Sequence, residues 1–129
     1  MKFSIETTLA KTDVLVIGLP SDALTVKSVQ KPVHDLFKTY VAPLIKRGTV
    51  TGKLQELTPI HAVSDKQFSA IYVVGLGKTS EVTPTKLRHI SGDIARSADS
   101  SKYESVIITL PSLRCSDADI AQAVVEGVI

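Results

Sequence analysis

Residues 70–78 read Ala-Ile-Tyr-Val-Val-Gly-Leu-Gly-Lys, and this stretch decides the fold. Its four consecutive apolar residues, 71–74, predict a strand that is covered on both faces, as the strands of parallel sheets are. Gly75 and Gly77 follow, and the conformational freedom of glycine predicts that the backbone turns at the end of this strand.

A helix is predicted soon after this turn. Thr83 offers a capping hydroxyl, and Pro84 suits the first helical position. The next residues form an apolar stripe at helical spacing: Leu87, Ile90, Ile94, Ala95 and Ala98. Two more buried strands are predicted, at 13–19, where Gly18 and Pro20 end the strand, and at 105–110.

An amphipathic helix is predicted over residues 33–45, whose apolar positions recur at helical spacing. Pro43 falls within it, so either the helix kinks there or its last turn is separate. Arg47 and Gly48 supply a basic last turn and a stop.

The segment between this helix and the strand at 70–75 is predicted to contain one or two short strands. They lie at 50–53 and at 57–63, the second around Pro59, with a turn at 64–66. Strands alternating with helices predict an α/β fold: a three-layer α/β/α sandwich with a mixed, mostly parallel sheet. Residues 1–129 are expected to form a single domain, because the length suits one.

Composition points to a reducing compartment and a water-soluble chain. Cys115 is the one cysteine, so no internal disulfide can form. Glu6 falls where a signal peptide needs an apolar core, and no apolar run approaches the ~20 residues of a membrane helix. We expect a cytoplasmic protein without a membrane partner.

The net charge of +2 gives little support to a nucleic-acid partner. Residues 27–53 hold six Lys or Arg against Asp35, which is typical of a solvated helix face. A basic docking surface is the alternative. With only six aromatic residues in the chain, the interleaved pattern of a nucleic-acid module is missing.

The C-terminal segment predicts a helix that starts at Ser116, with Asp119 in a capping-box position. This helix stops on the apolar pair Val128 and Ile129, without a polar cap. We expect that the natural chain continues beyond Ile129. The alternative is a short helix whose end packs into the core.

The glycine-rich segment from Gly75 to Thr79 invites a phosphate-binding interpretation. The full phosphate-loop motif needs glycine at position 72, which is Tyr72, and the dinucleotide pattern needs glycine at position 80, which is Ser80. A tight structural turn is therefore the favoured interpretation, with phosphate contact as the alternative.

No group of side chains has the pairing that an enzyme site needs. The three histidines lack partners at ligand spacing, Asp117 and Asp119 suit a helix N-terminus, and Cys115 has no histidine nearby in sequence. Ser91 and Ser97 lack a nucleophile motif. We therefore assign no catalytic, cofactor-binding or metal-binding residue. The histidines in question are His34, His61 and His89.

Five motifs in the same order resemble the N-terminal domain of the cytosol (leucyl) aminopeptidase family. One departure is Val50-Thr51, where the family often has an aromatic residue. The matching segments are Asp13-Val-Leu-Val-Ile-Gly, Gly52-Lys53, Val-Val-Gly-Leu-Gly-Lys at 73–78, the helix with Thr83, Leu87, Arg88 and Gly92, and the final Ala123, Glu126 and Gly127.

The resemblance implies a macrodomain-like fold and an accessory role. The full-length enzymes are two-domain metallopeptidases that remove N-terminal residues from peptides, use two zinc or manganese ions, and form homohexamers. Their metal ligands and catalytic residues lie in a C-terminal domain, whose Asn-Thr-Asp-Ala-Glu-Gly-Arg-Leu motif is absent here. The expected partners are this catalytic domain and other copies of the chain. A free-standing nucleotide or ADP-ribose binder and a basic nucleic-acid module remain alternatives.

Overall fold

A computed structural model of the chain describes residues 2–5, 13–22, 24–25, 33–61 and 68–110, the first range as backbone alone. Within these residues the strands are β1 (Lys2–Ile5), β2 (Val14–Pro20), β3 (Leu57–Ile60), β4 (Ala70–Gly77) and β5 (Ser105–Thr109). They form one sheet in the order β1-β5-β2-β4-β3. Only β3 is antiparallel to its neighbour, so the predicted mixed, mostly parallel sheet is confirmed.

The central strands β2 and β4 are covered on both faces. All seven residues of β2 are buried, as are residues 70–76 of β4. Alternate side chains enter two separate apolar clusters: Val16 and Val74 face one, and Ile17 and Val73 face the other. This burial explains why both strands read as continuous apolar runs instead of alternating ones.

The long helix α3 (Pro84–Ser100) covers one face of the sheet through Leu87, Ile90 and Ile94. Its start follows the sequence prediction, since the Thr83 hydroxyl accepts the N–H of Lys86 at 3.3 Å. Pro84 occupies the first turn, where its missing N–H costs nothing.

The other face is covered by helical residues 33–46, so the predicted three layers are confirmed. Pro43 sets their form: the N–H of Ala42 bonds to the carbonyl of Phe37, five residues back, and a new α-helical segment begins there. The helical run is unbroken through Pro43, so the alternative of a separate last turn is wrong, and a π-helical turn, which is a common cause of helix kinks, accommodates the proline. The successive segments are α1 (His34–Leu36), a π-helical turn (Phe37–Val41) and α2 (Ala42–Lys46).

Some predicted elements need correction. Of the one or two short strands predicted between residues 50 and 63, the described residues contain one, and the segment 50–53 is an irregular loop. The strand around Pro59 ends at Ile60 within the described residues, at the sheet edge where proline is tolerated. The N-terminal strand β1 was not predicted. The turn at 64–66 and the helix from Ser116 lie outside the described residues.

In the described part of the chain, α3 and the shorter helices all fall short of the length and apolarity that a bilayer crossing would require.

Candidate functional site

Three backbone segments meet where β2 and β4 end, at what we call the carboxyl edge: residues 20–22, 50–56 and 75–79. The N–H of Ser21 donates to the carbonyl of Gly77 at 2.8 Å. The N–H of Gly77 in turn donates to the carbonyl of Gly52 at 2.9 Å. Residues 50–56, which we call the 50–56 loop, therefore reach across the end of β4 to the end of β2.

Gly75 lies within β4, not in a turn after it, so that part of the prediction is wrong. Its N–H donates to the carbonyl of Glu56 at 2.7 Å, and its carbonyl accepts the N–H of Gln55 at 3.0 Å. A Cβ atom at this position would lie 1.8 Å from the carbonyl oxygen of Lys53. Glycine is needed here because the backbone of the loop approaches so closely. Gly77, with a φ of 73°, makes the turn.

The Glu56 carboxylate holds the 50–56 loop in shape. It accepts the N–H of Thr51 at 2.8 Å, the N–H of Gly52 at 3.2 Å and the hydroxyl of Thr51 at 2.8 Å. Partial burial raises the pKa of Glu56, but the hydrogen bonds from Thr51 and Gly52 outweigh it and leave the pKa below its usual value. The carboxylate thus stays ionised near neutral pH.

A second carboxylate ties the turn after β2 to the turn after β4. Asp22 accepts the hydroxyl of Thr79 at 2.9 Å and its N–H at 3.2 Å. These hydrogen bonds, first the one from the hydroxyl and then the one from the N–H, lower the pKa of Asp22. Both turns of the carboxyl edge are therefore fixed by charged hydrogen bonds.

The hydrogen bonds at the carboxyl edge argue against the phosphate-binding interpretation of residues 75–79. A phosphate loop needs free backbone N–H groups. Those of Gly75 and Gly77 already donate to carbonyls of the 50–56 loop. A nearby cavity of about 10 Å³ lies between the sheet and α3, is bordered by Gly18 and Leu76, and has room for about one water molecule. The paired N–H groups and the small size of this cavity both favour the structural turn over phosphate contact.

A cluster of rings lies at the opposite edge of the sheet, where β4 and β5 begin. His61 stacks on Tyr103 with ring centroids 6.1 Å apart, and its Nδ1 lies 3.1 Å from the Tyr103 hydroxyl oxygen. Tyr72 meets both rings edge-on and is fully buried. Burial, and then the charges of Tyr72 and Asp13, raise the pKa of Tyr103.

The remaining candidate residues stay apart from one another. His34 begins α1, His89 is exposed on α3, and His61 belongs to the ring cluster. The hydroxyl of Ser91 donates to the carbonyl of Leu87 at 2.8 Å and so serves its own helix. Among the described residues, no three His, Cys, Asp or Glu side chains come together in a way that could hold a metal ion. Three further candidates lie outside the described residues: Cys115, Asp117 and Asp119.

Sequence reasoning missed the carboxylates of the carboxyl edge. Asp22 and Thr79 are 57 positions apart, and no local pattern links them. Glu56 follows Thr51 by five positions, a spacing that matches no capping motif.

The sheet order and the helices on both faces define a class of protein. The macrodomain of Mycobacterium tuberculosis DarG superposes with a TM-score of 0.66 at 18% identity, over 97% of this chain and 88% of that one. A mutant of tomato leucine aminopeptidase gives a TM-score of 0.65 at 21% identity, over 100% of this chain and 28% of that one. The fold is a macrodomain-like α/β sandwich.

The sequence assigns the chain within this class. The family model described as the N-terminal domain of the cytosol aminopeptidase family matches residues 16–129. A probable cytosol aminopeptidase of Ralstonia pickettii (strain 12J) is 33% identical over 119 residues, which are 92% of this chain and 24% of that protein. The chain belongs to the cytosol aminopeptidase family, as its N-terminal domain. It spans about a quarter of the length of the curated relatives that it matches.

Proposed function

We propose that this chain is the accessory N-terminal domain of a two-domain aminopeptidase. In this proposal a catalytic domain removes N-terminal residues from peptides in the cytoplasm, and the present domain supports that domain and the contacts of a homohexamer. The observation that carries it is the family match over residues 16–129, in a chain about a quarter as long as its relatives.

The chemistry of the side chains supports an accessory role. The two divalent metals implied by the family need carboxylates, histidines or similar donors that converge on one point. The donors in the described ranges do not fit this requirement, since no three of them converge. In this proposal the catalytic domain holds the two ions, zinc or manganese, and the described residues take no part in a metal-dependent step.

The experiment compares two chains in the hydrolysis of leucine p-nitroanilide with added Mn²⁺ or Zn²⁺. One is residues 1–129, and the other is the product of the longest reading frame that contains them. We expect activity from the longer product alone. Hydrolysis by residues 1–129 would reject the accessory role, and so would inactivity of a folded, metal-loaded longer product.

Light scattering tests the assembly role. We expect the longer product to have the mass of six copies, and a variant that lacks the N-terminal domain to lose part of that mass. If the truncated variant assembled into hexamers equally well, the domain would have no role in assembly.

The likeness to macrodomains supports a second candidate, a nucleotide-binding module. This rests on fold analogy, which is a weak basis for function. The glycine N–H groups of the carboxyl edge are already paired, which opposes it. Calorimetry with ADP-ribose decides between the two: saturable binding by unmodified residues 1–129 would favour the nucleotide-binding module.

A further inference from the structure

Gln55, in the 50–56 loop, holds a backbone conformation that favours glycine. Its φ is 64°, and among the described residues other than glycine only Lys102, with a φ of 62°, shares this left-handed conformation. Glutamine adopts it at a steric cost, because its Cβ approaches the following carbonyl oxygen. Such strain persists where the surrounding structure imposes it, and it is often found at functional positions.

Two local motifs overlap at Gln55, and both normally have glycine at its position. The N–H of Glu56 donates to the carbonyl of Lys53 at 3.0 Å, which closes a four-residue turn whose third residue has a positive φ, a type II turn. Gln55 and Glu56 also lie together opposite Gly75, whose carbonyl and N–H bond to them and continue the β3–β4 ladder. This arrangement is a β-bulge, and bulges at sheet edges redirect side chains.

The loop is firmly anchored, but the side chains at its tip are not used by the domain. The Glu56 carboxylate clasps the loop from within, and the carbonyl of Gly52 bonds to β4. Leu54 packs against the apolar cluster beneath α3. The side chains of Lys53 and Gln55 are exposed, and neither forms a hydrogen bond with any described group. The loop is therefore a rigid support for two free polar side chains.

We infer that the 50–56 loop docks onto the catalytic domain of the same longer chain, which it contacts through Lys53 and Gln55. The inference rests on the proposed function, which supplies that domain. The chain spans about a quarter of the length of its relatives, so most of such a protein lies outside the described residues. Strand β5 also ends at the carboxyl edge, with Leu110 beside Gly18, so the described chain ends near the loop.

The chemistry of the loop tip defines the surface that it fits. The ammonium group of Lys53 donates hydrogen bonds, and the amide of Gln55 both donates and accepts them. Carboxylates and backbone carbonyls on the catalytic domain would complement both side chains. A loop that is already held in one shape loses little conformational entropy when it docks, and the anchors described above provide this advantage.

Two backbone N–H groups of the loop tip provide a test that needs no variant. Those of Lys53 and Leu54 donate to no described group, so in an uncovered loop they exchange hydrogen with solvent near the rate of an unstructured peptide. In the longer product the loop should be covered at least about nine-tenths of the time, which slows their exchange about tenfold. Exchange at the unstructured rate in an active longer product would overturn this inference alone. A folded, metal-loaded longer product without activity would reject the proposed function instead.

Gln55→Gly removes the side chain and relieves the backbone strain, so the variant should fold. Lys102→Gly is the matched control, because it also replaces an exposed left-handed residue, in the turn after α3. In the longer product we expect Gln55→Gly to return the amides of residues 53 and 54 toward the unstructured rate and Lys102→Gly to leave them protected. Equal protection in the unchanged chain and both variants would contradict the inference.

A second copy of the chain is the other candidate occupant. The exchange of the same two amides is therefore measured again in single chains of the longer product, obtained by dilution and verified by light scattering. Protection that persists in single chains identifies the catalytic domain. Protection that disappears on dissociation identifies a second copy and overturns the inference.

Discussion

Gly75→Ala tests the close approach of the 50–56 loop to β4. The added Cβ would lie 1.8 Å from the carbonyl oxygen of Lys53, and real Cβ atoms essentially never approach another atom more closely than 3.0 Å. Backbone atoms supply all three nearest contacts, so no side chain can rotate away. The loop must retreat by at least about 1.2 Å, the difference between these two distances.

Such a retreat breaks the hydrogen bonds between the loop and β4. Three of them join Gly75 to Glu56, Gln55 to Gly75 and Gly77 to Gly52. At about 1 kcal/mol each, their loss costs about 3 kcal/mol. Replacing glycine by alanine also restricts the unfolded chain, which stabilises the folded state by about 0.5–1 kcal/mol. The free energy of unfolding should therefore fall by about 2–2.5 kcal/mol.

The assay is urea unfolding followed by circular dichroism. With a slope of about 2 kcal/mol per molar, the midpoint should fall by about 1–1.3 M with the slope unchanged. Gly48→Ala is the control, because Gly48 has a φ of 78° and no described heavy atom lies within 4 Å of its added Cβ. The only cost in that variant is the left-handed backbone conformation of the alanine, which should lower the free energy of unfolding by about 1 kcal/mol. If Gly75→Ala is no more destabilised than Gly48→Ala, the close approach carries no energetic weight.

Three further predictions concern single side chains. The lowered pKa of Glu56 means that its carboxylate contributes stability above its unfolded pKa and loses it as pH falls through the lower folded pKa, so the unfolding midpoints of wild type and Glu56→Gln should converge as the solution is acidified; a constant gap contradicts this. Thr83→Ala should cost about 1 kcal/mol in thermal unfolding, and Thr85→Ala much less; equal losses would argue against the cap. Tyr72→Phe should leave stability unchanged or higher, because no described group bonds its buried hydroxyl; a loss above about 1 kcal/mol would reveal a partner.

Where the sequence predicted the fold well, the signal was local. The apolar runs of β2 and β4 identify buried strands without reference to their neighbours. Thr83 and Pro84 mark the start of α3 because a cap acts within one turn. Pro43 marks the change within the helix of residues 33–46 for the same reason.

The prediction failed where the deciding partner belongs to no local sequence pattern. Val50 and Thr51 suit a strand by residue type, yet the N–H of Thr51 bonds to the Glu56 carboxylate and not to a strand. Gly75 looked like a turn residue, although its role is to admit the carbonyl of Lys53, 22 positions earlier. A sequence pattern locates the glycine, but it cannot show which distant backbone segment packs against that position.

The two carboxylates of the carboxyl edge also determine how that edge behaves in solution. Hydrogen bonds hold the pKa values of Glu56 and Asp22 below their usual values, so both groups stay charged throughout the neutral pH range. Their donors belong to the loop and to the turn after β4, so the edge keeps one shape over that range. A surface whose charge and shape do not change with pH suits permanent contact with another domain better than it suits a switch. The hydrogen bonds that occupy the glycine N–H groups also hold the edge in one shape, which agrees with the accessory role.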